Sequence, residues 1–382
     1  MRALVAASLG ATAARKPGVG ALGGASTGAA LELPALAVPL GAAALVTARR
    51  TRDDAVALAV GAGLGLATGR VWPTAPRTVE ELRRHGTKRR VAATADGDGV
   101  AVVINPAAGT AETAETAETV RQRLPRATVV EVADGDDLVA ELRAAGERAT
   151  VALGAAGGDG TLSAAAAIAY ECGIPLLALP AGTLNHFARD LGLLSFDDAF
   201  EALAAGEVVD VDLAHAGDRT FVNTASFGAY TALVEARERL QSRIGKWPAV
   251  AVALVGVLRR AEPVEITVEG RRRRLWLGFI GNCRYRPPGF APSWREALDD
   301  GELDVRLVDA EPPLARVRLL LAVMTGRLGR TTVYEQRRAS TVRLESADGP
   351  ITIASDGEVV EFGTSVIVGK RADRLPVFAP HR

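Results

Sequence analysis

The chain has 382 residues, which is long enough for two domains with separate hydrophobic cores and a further segment. Its 45 basic and 45 acidic residues give no net charge, which argues against a protein that binds nucleic acid by neutralising phosphates. The two cysteines, Cys172 and Cys283, lack metal-ligand spacing and indicate buried thiols in a reducing compartment.

Residues 1–72 form an apolar extension rich in Ala, Gly, Leu and Val. Its uncharged stretches at 33–48 and 55–68 are too short to cross a bilayer, and they predict interfacial or short hairpin helices. A loosely packed helical appendage is the alternative. Residues 73–98 contain prolines and a basic run at 83–90 without apolar periodicity, which predicts a linker. The basic run either contacts an anionic membrane or is a solvated segment.

Residues 99–210 alternate apolar strand-like segments with helical segments, which predicts an α/β domain with a parallel sheet. We expect strands at 100–104, 128–132, 150–153 and 174–179, and helices near 111–123, 137–146 and 162–170. Because such sheets bind ligands at the carboxyl ends of their strands, the loops that follow the strands are the candidate binding site.

Three of these loops share a Gly-bearing design, at 105–109, 155–161 and 180–185. Glycines let backbone amides approach an anion, and the helix that follows presents its unpaired amides to the same group. The loops therefore predict a phosphate-binding crevice, although an ordinary Gly-rich turn is the alternative for 155–161. Asp159 would repel phosphate unless it carries Mg²⁺ or turns away to position another group, and both alternatives stay open.

Residues 211–370 change to segments of period two, which predict an antiparallel β-sandwich domain. The tail, 371–382, is a candidate for return to the α/β domain. An acceptor substrate is expected between the two domains.

Four motifs connect these loops to a known family: Asn-Pro-x-x-Gly at 105–109, Gly-Gly-Asp-Gly-Thr at 157–161, Pro-x-Gly-Thr-x-Asn at 180–185 and Ser-Asp-Gly-Glu at 355–358. With them, residues 98–382 resemble the diacylglycerol kinase catalytic-domain family of bacterial lipid kinases, which are related to sphingosine kinases. The second motif is shared with NAD kinases and phosphofructokinases, and the third is the most specific to lipid kinases.

The resemblance implies an NAD-kinase/phosphofructokinase-like α/β domain followed by the sandwich, and transfer of the γ-phosphate of ATP to a lipid hydroxyl. It implies diacylglycerol or a related lipid as acceptor, with ATP and Mg²⁺ as cofactors. The nucleotide-binding residues that it implies are Asn105, Pro106, Ala107, Ala108, Gly109, Gly157, Gly158, Asp159, Gly160, Thr161, Leu162, Gly182, Thr183 and Asn185.

The resemblance also assigns the catalytic carboxylates. Glu358 occupies the position of the family's general base, and Asp212 looks like its partner in a charged network. Two carboxylates that share one site push their pKa values apart, which would keep one of them basic. From the residues alone, 356–357 is more often just a hairpin turn. His186 replaces an acidic residue of the family pattern, either as a proton relay or as a neutral hydrogen-bonding group.

The acidic turn at 297–304 resembles a structural Mg²⁺ site of the family. The resemblance assigns as ligands the Asp300 side chain and the backbone carbonyls of Ala297 and Glu302, which are hard oxygen donors. An acidic β-turn without metal is the alternative.

The N-terminal quarter also resembles the end of a type 2 phosphatidic acid phosphatase domain, at 24–32 and 58–72. That chemistry requires histidines, and none precedes His85. We therefore expect an inactive, membrane-associating remnant.

Together these observations predict a cytoplasmic enzyme at the inner face of the plasma membrane, with a nucleotide and a membrane lipid as partners and no nucleic acid. A homodimer is one candidate assembly. The alternatives are an NAD-kinase-like kinase of a soluble substrate and a lipid-binding protein without catalysis.

Overall fold

The computed structural model describes residues 86–106, 113–133, 135–182, 184–230, 232–233, 256–257, 261–286, 288–289, 292, 294–324 and 327–381. The predictions for the apolar extension and the phosphatase remnant fall on residues outside these ranges. No helix within the described ranges is long and apolar enough to cross a membrane.

The helices in the described ranges are α1 (Thr113–Arg123), α2 (Leu138–Arg148), α3 (Asp159–Cys172), α4 (His186–Asp190), α5 (Phe196–Ala205) and α6 (Ala315–Met324), with a 3₁₀ helix at Leu328–Arg330. The strands are β1 (Thr87–Arg90), β2 (Val100–Ile104), β3 (Thr128–Glu131), β4 (Ala152–Gly157), β5 (Leu176–Pro180), β6 (Glu207–Val211), β7 (Ala214–Ala216), β8 (Arg219–Phe221), β9 (Thr224–Gly228), β10 (Val264–Val268), β11 (Arg271–Asn282), β12 (Tyr285–Arg286), β13 (Trp294–Arg295), β14 (Leu303–Asp309), β15 (Tyr334–Ala339), β16 (Thr341–Glu345), β17 (Ile351–Ser355), β18 (Glu358–Phe362), β19 (Ser365–Lys370) and β20 (Leu375–Phe378).

The first sheet has the strand order β1-β6-β20-β5-β4-β2-β3 among the described residues. The strands from β3 to β20 are parallel. At the edge, β6 pairs antiparallel with β20, and β1 pairs antiparallel with β6. Strands β2 and β4 are buried along their whole length, as expected for central strands of a parallel sheet. Helices α2 and α3 pack against β4, and α5 packs against β5 and β6. The predicted α/β domain is confirmed.

The second sheet joins eleven of the described strands in antiparallel pairs. Its longest strand, β11, pairs with β9, β10 and β14 and therefore lies at its centre. Alternate side chains of β16 and β17 are buried, which is the period-two pattern of the sequence. The predicted antiparallel, sandwich-like domain after the parallel sheet is confirmed.

Strand β20 returns from the second half of the chain to the first sheet. It lies between β5 and β6 and is parallel to the former and antiparallel to the latter. Val377 and Phe378 are fully buried there. The two domains are thus connected both before β7 and after β19.

Strand β4 continues four residues past its predicted end, to Gly157, and α3 begins already at Asp159. The prediction of a long Gly-rich loop over 155–161 is therefore wrong. The residues Gly-Ala-Ala-Gly at 154–157 have low strand propensity, but their small size suits a crowded central strand. A Cβ on Gly154 would lie 2.8 Å from the Val102 side chain of β2.

The basic run also differs from its prediction as part of a linker. Thr87–Arg90 forms the edge strand β1, paired with β6. All four residues are exposed, so this strand carries no apolar periodicity that the sequence could show. Arg89 instead forms an ion pair with Asp210 on the neighbouring strand at 2.8 Å.

A buried ion pair connects the two domains. The Arg295 side chain on β13 is completely buried, and its Nε atom lies 2.7 Å from Oδ2 of Asp190 at the end of α4. The same guanidinium donates to the carbonyl oxygen of Val222 and to Oδ1 of Asn223 between β8 and β9. One side chain therefore holds α4 of the first domain against the sandwich.

We expect the substitution Arg295→Met to lower the free energy of unfolding by about 3 kcal/mol or more, because it leaves the buried Asp190 carboxylate without its counter-ion. Chemical denaturation measures the loss. The matched control is Arg121→Met, because Arg121 pairs with Glu131 while both side chains are about half exposed. Its cost should stay below about 1 kcal/mol. Equal costs for the two variants would contradict the role of Arg295.

Candidate active site

The amino-terminal end of α3 forms the floor of the site. Gly158 is the N-cap residue and offers no side-chain hydrogen bond to the first-turn amides. The amides of Asp159, Gly160 and Thr161 therefore remain available to an anion, at the positive end of the helix dipole. A Cβ on Gly160 would meet no atom within 4 Å, so this position opens onto space.

The loops after β4 and β5 approach each other closely at two glycines. A Cβ on Gly182 would lie 2.4 Å from the Cα atom of Gly158, so the contact requires glycine. The amide of Ala181 donates to the carbonyl oxygen of Gly157 at 3.1 Å. The close packing of these backbones brings two of the predicted phosphate loops together.

Asp159 turns away from the amides of its own helix. Its carboxylate accepts hydrogen bonds from the amides of His186 and Phe187, both at 3.1 Å. These contacts fit the second of the two alternatives for Asp159, a carboxylate that positions another group, and leave the first open. It holds the start of α4 against the start of α3.

Asn185 fixes the preceding loop from within. It has a φ of 48°, in the left-handed region, and its side chain exchanges hydrogen bonds with the amide and carbonyl of Gly182. His186 is exposed, and its backbone amide donates to Asp159. Among the described residues its ring makes no hydrogen bond that would support either predicted role.

The loop after β2 reaches the same place through Asn105. Its Nδ2 atom donates to Oγ1 of Thr161 at 3.0 Å. Pro106 follows it, half-buried. Ala107, Ala108, Gly109 and Thr183 lie outside the described residues.

Leu162 does not fit its predicted contact with a nucleotide. Its side chain is fully buried in the core of the first domain. Its amide donates to the carbonyl oxygen of Gly158 within α3. Leu162 follows the Gly-Gly-Asp-Gly-Thr motif and continues α3, and its side chain packs in the core.

A cavity of about 240 Å³ opens beside the floor of the site, between α3 and the sandwich. Gly160 and Ser163 line it from α3. Arg219 on β8, Asp356 in the turn after β17 and Glu358 at the start of β18 line it from the sandwich. The structure therefore brings the predicted base, Glu358, to the same cavity as the predicted phosphate loop. The exposed Glu358 carboxylate forms an ion pair with Arg219 at the edge of this cavity.

Asp356 also lines this cavity, although from the sequence alone it is expected only as part of a turn. Its carboxylate accepts hydrogen bonds from the Ser163 hydroxyl on α3 and from the amides of Val222, Asn223 and Thr224. Its φ of 46° is left-handed, which Asp tolerates better than most residues. The signal in the sequence is the Asp-Gly pair itself, but the partners come from other segments.

Asp212 lies in a different cluster from the one predicted. Its carboxylate contacts the Lys370 ammonium at 3.1 Å and the Arg374 guanidinium at 3.0 Å, whereas Glu358 contacts Arg219. The predicted pairing of Asp212 with Glu358 is corrected accordingly. Burial raises the pKa of the Asp212 carboxyl, but the Lys370 ammonium and the Gly301 amide outweigh it, so that the pKa lies below its ordinary value.

Cys283 packs in the same cluster, with its Sγ atom 3.2 Å from the Lys370 ammonium. Burial raises the pKa of this thiol to about 12, so it stays protonated at neutral pH. Cys172 is only half-buried.

The acidic turn packs next to this cluster. Asp300 accepts hydrogen bonds from the amides of Arg284 and Glu302, both at 3.0 Å, and the carbonyl oxygen of Glu302 accepts one from the Cys283 amide. Side-chain ligand atoms of Asp212, Cys283 and Asp300 lie within 4.8 Å of one another. Each oxygen of Asp300 retains a second lone pair, so the donor chemistry fits a hard cation.

Comparisons with known proteins identify both domains. Residues 99–216 match the diacylglycerol kinase catalytic domain, and residues 224–368 match the YegS C-terminal NAD kinase beta sandwich-like domain. A relative from Pseudomonas savastanoi pv. phaseolicola, named probable lipid kinase YegS-like, is 34% identical over 65% of this chain and 82% of its own length. A relative of the same name from Pseudomonas aeruginosa is 31% identical over 65% of this chain and 84% of its own.

Solved structures show the same fold. A putative diacylglycerol kinase from Bacillus anthracis superposes with a TM-score of 0.57 over 75% of this chain and 99% of its own. A second structure from that organism has a TM-score of 0.54. Both are 20% identical to this chain, so this likeness establishes the fold alone.

We expect Asp212→Asn to lower the free energy of unfolding by about 3 kcal/mol, because it leaves the largely buried Lys370 ammonium without its nearest opposing charge. Urea unfolding at neutral pH measures the difference. The control is Asp197→Asn, whose carboxylate pairs with Arg123 but is mostly exposed. That change should cost less than about 1 kcal/mol. An Asp212→Asn variant with an unchanged free energy of unfolding would show that the cluster does not need the charge of Asp212.

Proposed function

The chain belongs to the family of YegS-like lipid kinases with a diacylglycerol kinase catalytic domain, and we propose that it phosphorylates diacylglycerol or a related lipid with Glu358 as general base. It is an ATP-dependent lipid kinase. The observation that carries the residue assignment is the shared cavity of Glu358 and Gly160.

In this proposal the phosphates of ATP bind at the amino-terminal end of α3. The first-turn amides donate hydrogen bonds to the phosphates there, and the positive end of the helix dipole attracts their negative charge. The close contact between Gly158 and Gly182 holds the neighbouring loop in place, and Asn105 orients Thr161 through its hydroxyl. Phosphoryl transfer depends mainly on such positioning and on charge stabilisation.

The lipid hydroxyl then enters the cavity between the phosphates and Glu358. A carboxylate at this position takes the proton of the hydroxyl as the new bond to phosphorus forms. Arg219 contacts Oε2 of Glu358 and holds the carboxylate at the edge of the cavity. Its positive charge at the cavity edge also suits the developing charge on the transferred group.

Asp356 and Ser163 position the base. The turn that carries Glu358 is fixed at Asp356, which reaches α3 through the Ser163 hydroxyl. Because α3 also supplies the phosphate-binding amides, this one hydrogen bond relates the base directly to the nucleotide.

We also propose that Mg²⁺ binds at the acidic turn, held by the Asp300 carboxylate and the carbonyls of Ala297 and Glu302. Such an ion would supply positive charge that fixes the turn beside Asp212 and Lys370. Asp159 is the proposed residue for the Mg²⁺ that accompanies ATP, because its oxygens retain lone pairs beyond the two amide hydrogen bonds.

We expect Glu358→Gln to lower kcat by about 10²-fold or more, because the amide cannot accept the proton of the lipid hydroxyl. ATP binding should be unchanged. Transfer of labelled phosphate from ATP to diacylglycerol in mixed micelles measures the first effect, and equilibrium dialysis of ATP the second. The control is Glu361→Gln on the same strand, which is exposed and outside the cavity. Full activity of Glu358→Gln would overturn the assignment of the base.

We expect Ser163→Ala to lower kcat by about tenfold, because a small displacement of a positioned group is costly to the rate. The KM for ATP should stay unchanged, since the first-turn amides of α3 remain. Ser163→Thr, which keeps the hydroxyl, should restore much of the rate. Thr352→Ala, on the exposed side of β17, is the control. A change confined to the KM for ATP would contradict the positioning role.

A further inference from the structure

Helix α6 has two apolar faces, and only one of them is buried. Ala315, Leu319 and Ala322 are at most 6% exposed, and the first two pack in a cluster with Trp276 of the sandwich. On another side of the helix, Val317 is 50% and Leu321 55% exposed. The spacing of four residues puts these two side chains one above the other.

Leu314, directly before α6, extends this exposed face. It is 75% exposed, and its carbonyl accepts the first helical hydrogen bond, from the amide of Arg318. We call Leu314, Val317 and Leu321 the α6 ridge. Single exposed apolar residues are common on proteins, but a contiguous group indicates a surface that something covers.

The surroundings of the ridge are basic. Residues 314–330 contain four arginines and no acidic residue, in a chain whose net charge is zero. Arg316 and Arg318 flank the ridge on the helix, and Arg327 and Arg330 follow it, all exposed. Within the described ranges, none of these four arginines forms an ion pair with a carboxylate. Arg316 lies over the Trp276 ring, and Arg318 approaches the Thr332 hydroxyl.

An apolar ridge with a basic border fits the surface of an anionic bilayer. Such helices lie in the interface with their apolar side chains at the boundary between headgroups and acyl chains, while arginines contact lipid phosphates. At ten residues, α6 is about 15 Å long, so it can lie on a membrane but cannot span one. A second copy fits less well, because a symmetric contact through this face would bring the arginines of two chains together.

We propose that the α6 ridge and its arginines dock this protein on anionic lipid membranes. The proposal rests on the proposed function insofar as the acceptor of a lipid kinase resides in a bilayer. It adds the surface that holds the enzyme there, and it concerns residues outside the cavity of Glu358.

The first experiment measures binding of the full chain to phosphatidylcholine vesicles with and without phosphatidylglycerol, by co-sedimentation. We expect binding to require phosphatidylglycerol. The double variant Val317→Ser/Leu321→Ser should bind at least about tenfold more weakly, since each exposed apolar side chain contributes to insertion. Arg327→Ser/Arg330→Ser should lower binding and its sensitivity to salt.

The matched control is Val264→Ser/Ile367→Ser, which removes two exposed apolar side chains from strands β10 and β19. This variant should bind like the original chain. Equal losses in the control and in the α6 variants would overturn the proposal, because the effect would then not belong to the ridge.

The second experiment detects the occupant directly. A photoreactive phenylalanine analogue at position 317 should form crosslinks to lipid on vesicles that contain phosphatidylglycerol, and the same analogue at position 264 should not. Crosslinks from position 317 only to protein, whether to residues 1–85, to a second copy or to another protein, would overturn the proposal. This holds even if the chain binds vesicles through another segment.

Kinase assays separate this proposal from the proposed function. With a short-chain, water-soluble diacylglycerol, the α6 variants should keep the rate of the original chain, because the substrate needs no membrane. Glu358→Gln should bind vesicles normally and lack activity. An α6 variant that loses vesicle binding but keeps activity on the water-soluble substrate supports docking by the ridge. A Glu358→Gln variant that binds vesicles but lacks activity supports the assignment of the base.

Discussion

The contact between the two domains depends on one buried charge, the guanidinium of Arg295. It pairs with Asp190 at the end of α4 and also satisfies backbone and side-chain oxygens between β8 and β9. Without a counter-ion, either charge would be expensive in this interior, so the two domains are stable together only where the groups meet. The rings of Phe187 and Tyr285 flank the guanidinium and keep water from it. The segment at 222–223 that accepts from Arg295 also donates its amides to Asp356, which lines the cavity between α3 and the sandwich.

The chemistry of the cavity follows from that arrangement. The first wall presents the amides at the start of α3, and the second presents Glu358 and Arg219. Asp159 fixes α4 to α3, and Asp356 fixes the turn of the base to α3. Both carboxylates thus serve as connectors between backbone segments. Helix α3 therefore positions both the amides proposed to bind phosphate and, through Asp356, the proposed proton acceptor.

The sequence predicts the parts of this structure that depend on local pattern. Continuous apolar runs predict β2 and β5, because a strand buried on both faces is apolar along its length. Alternation of apolar and polar residues predicts β10 and β17, because only one face of these strands is buried. Strand β4 is less visible, since its second half consists of glycine and alanine chosen for size. The tertiary contacts are invisible for another reason. Arg295, Ser163 and Asp356 contact partners more than 100 residues away. For the same reason the sequence does not reveal that Asp212 pairs with Lys370 and Arg374.

The position of β20 has a consequence for biosynthesis. When a ribosome has released residue 211, six of the seven described strands of the first sheet are present, yet an interior position between β5 and β6 is still vacant. The strand that fills this position, Leu375–Phe378, is synthesised only after more than 160 further residues. Completion of the first sheet is therefore coupled to completion of the sandwich. A polypeptide that stops before this strand would expose an apolar slot and be a natural target for chaperones and proteases.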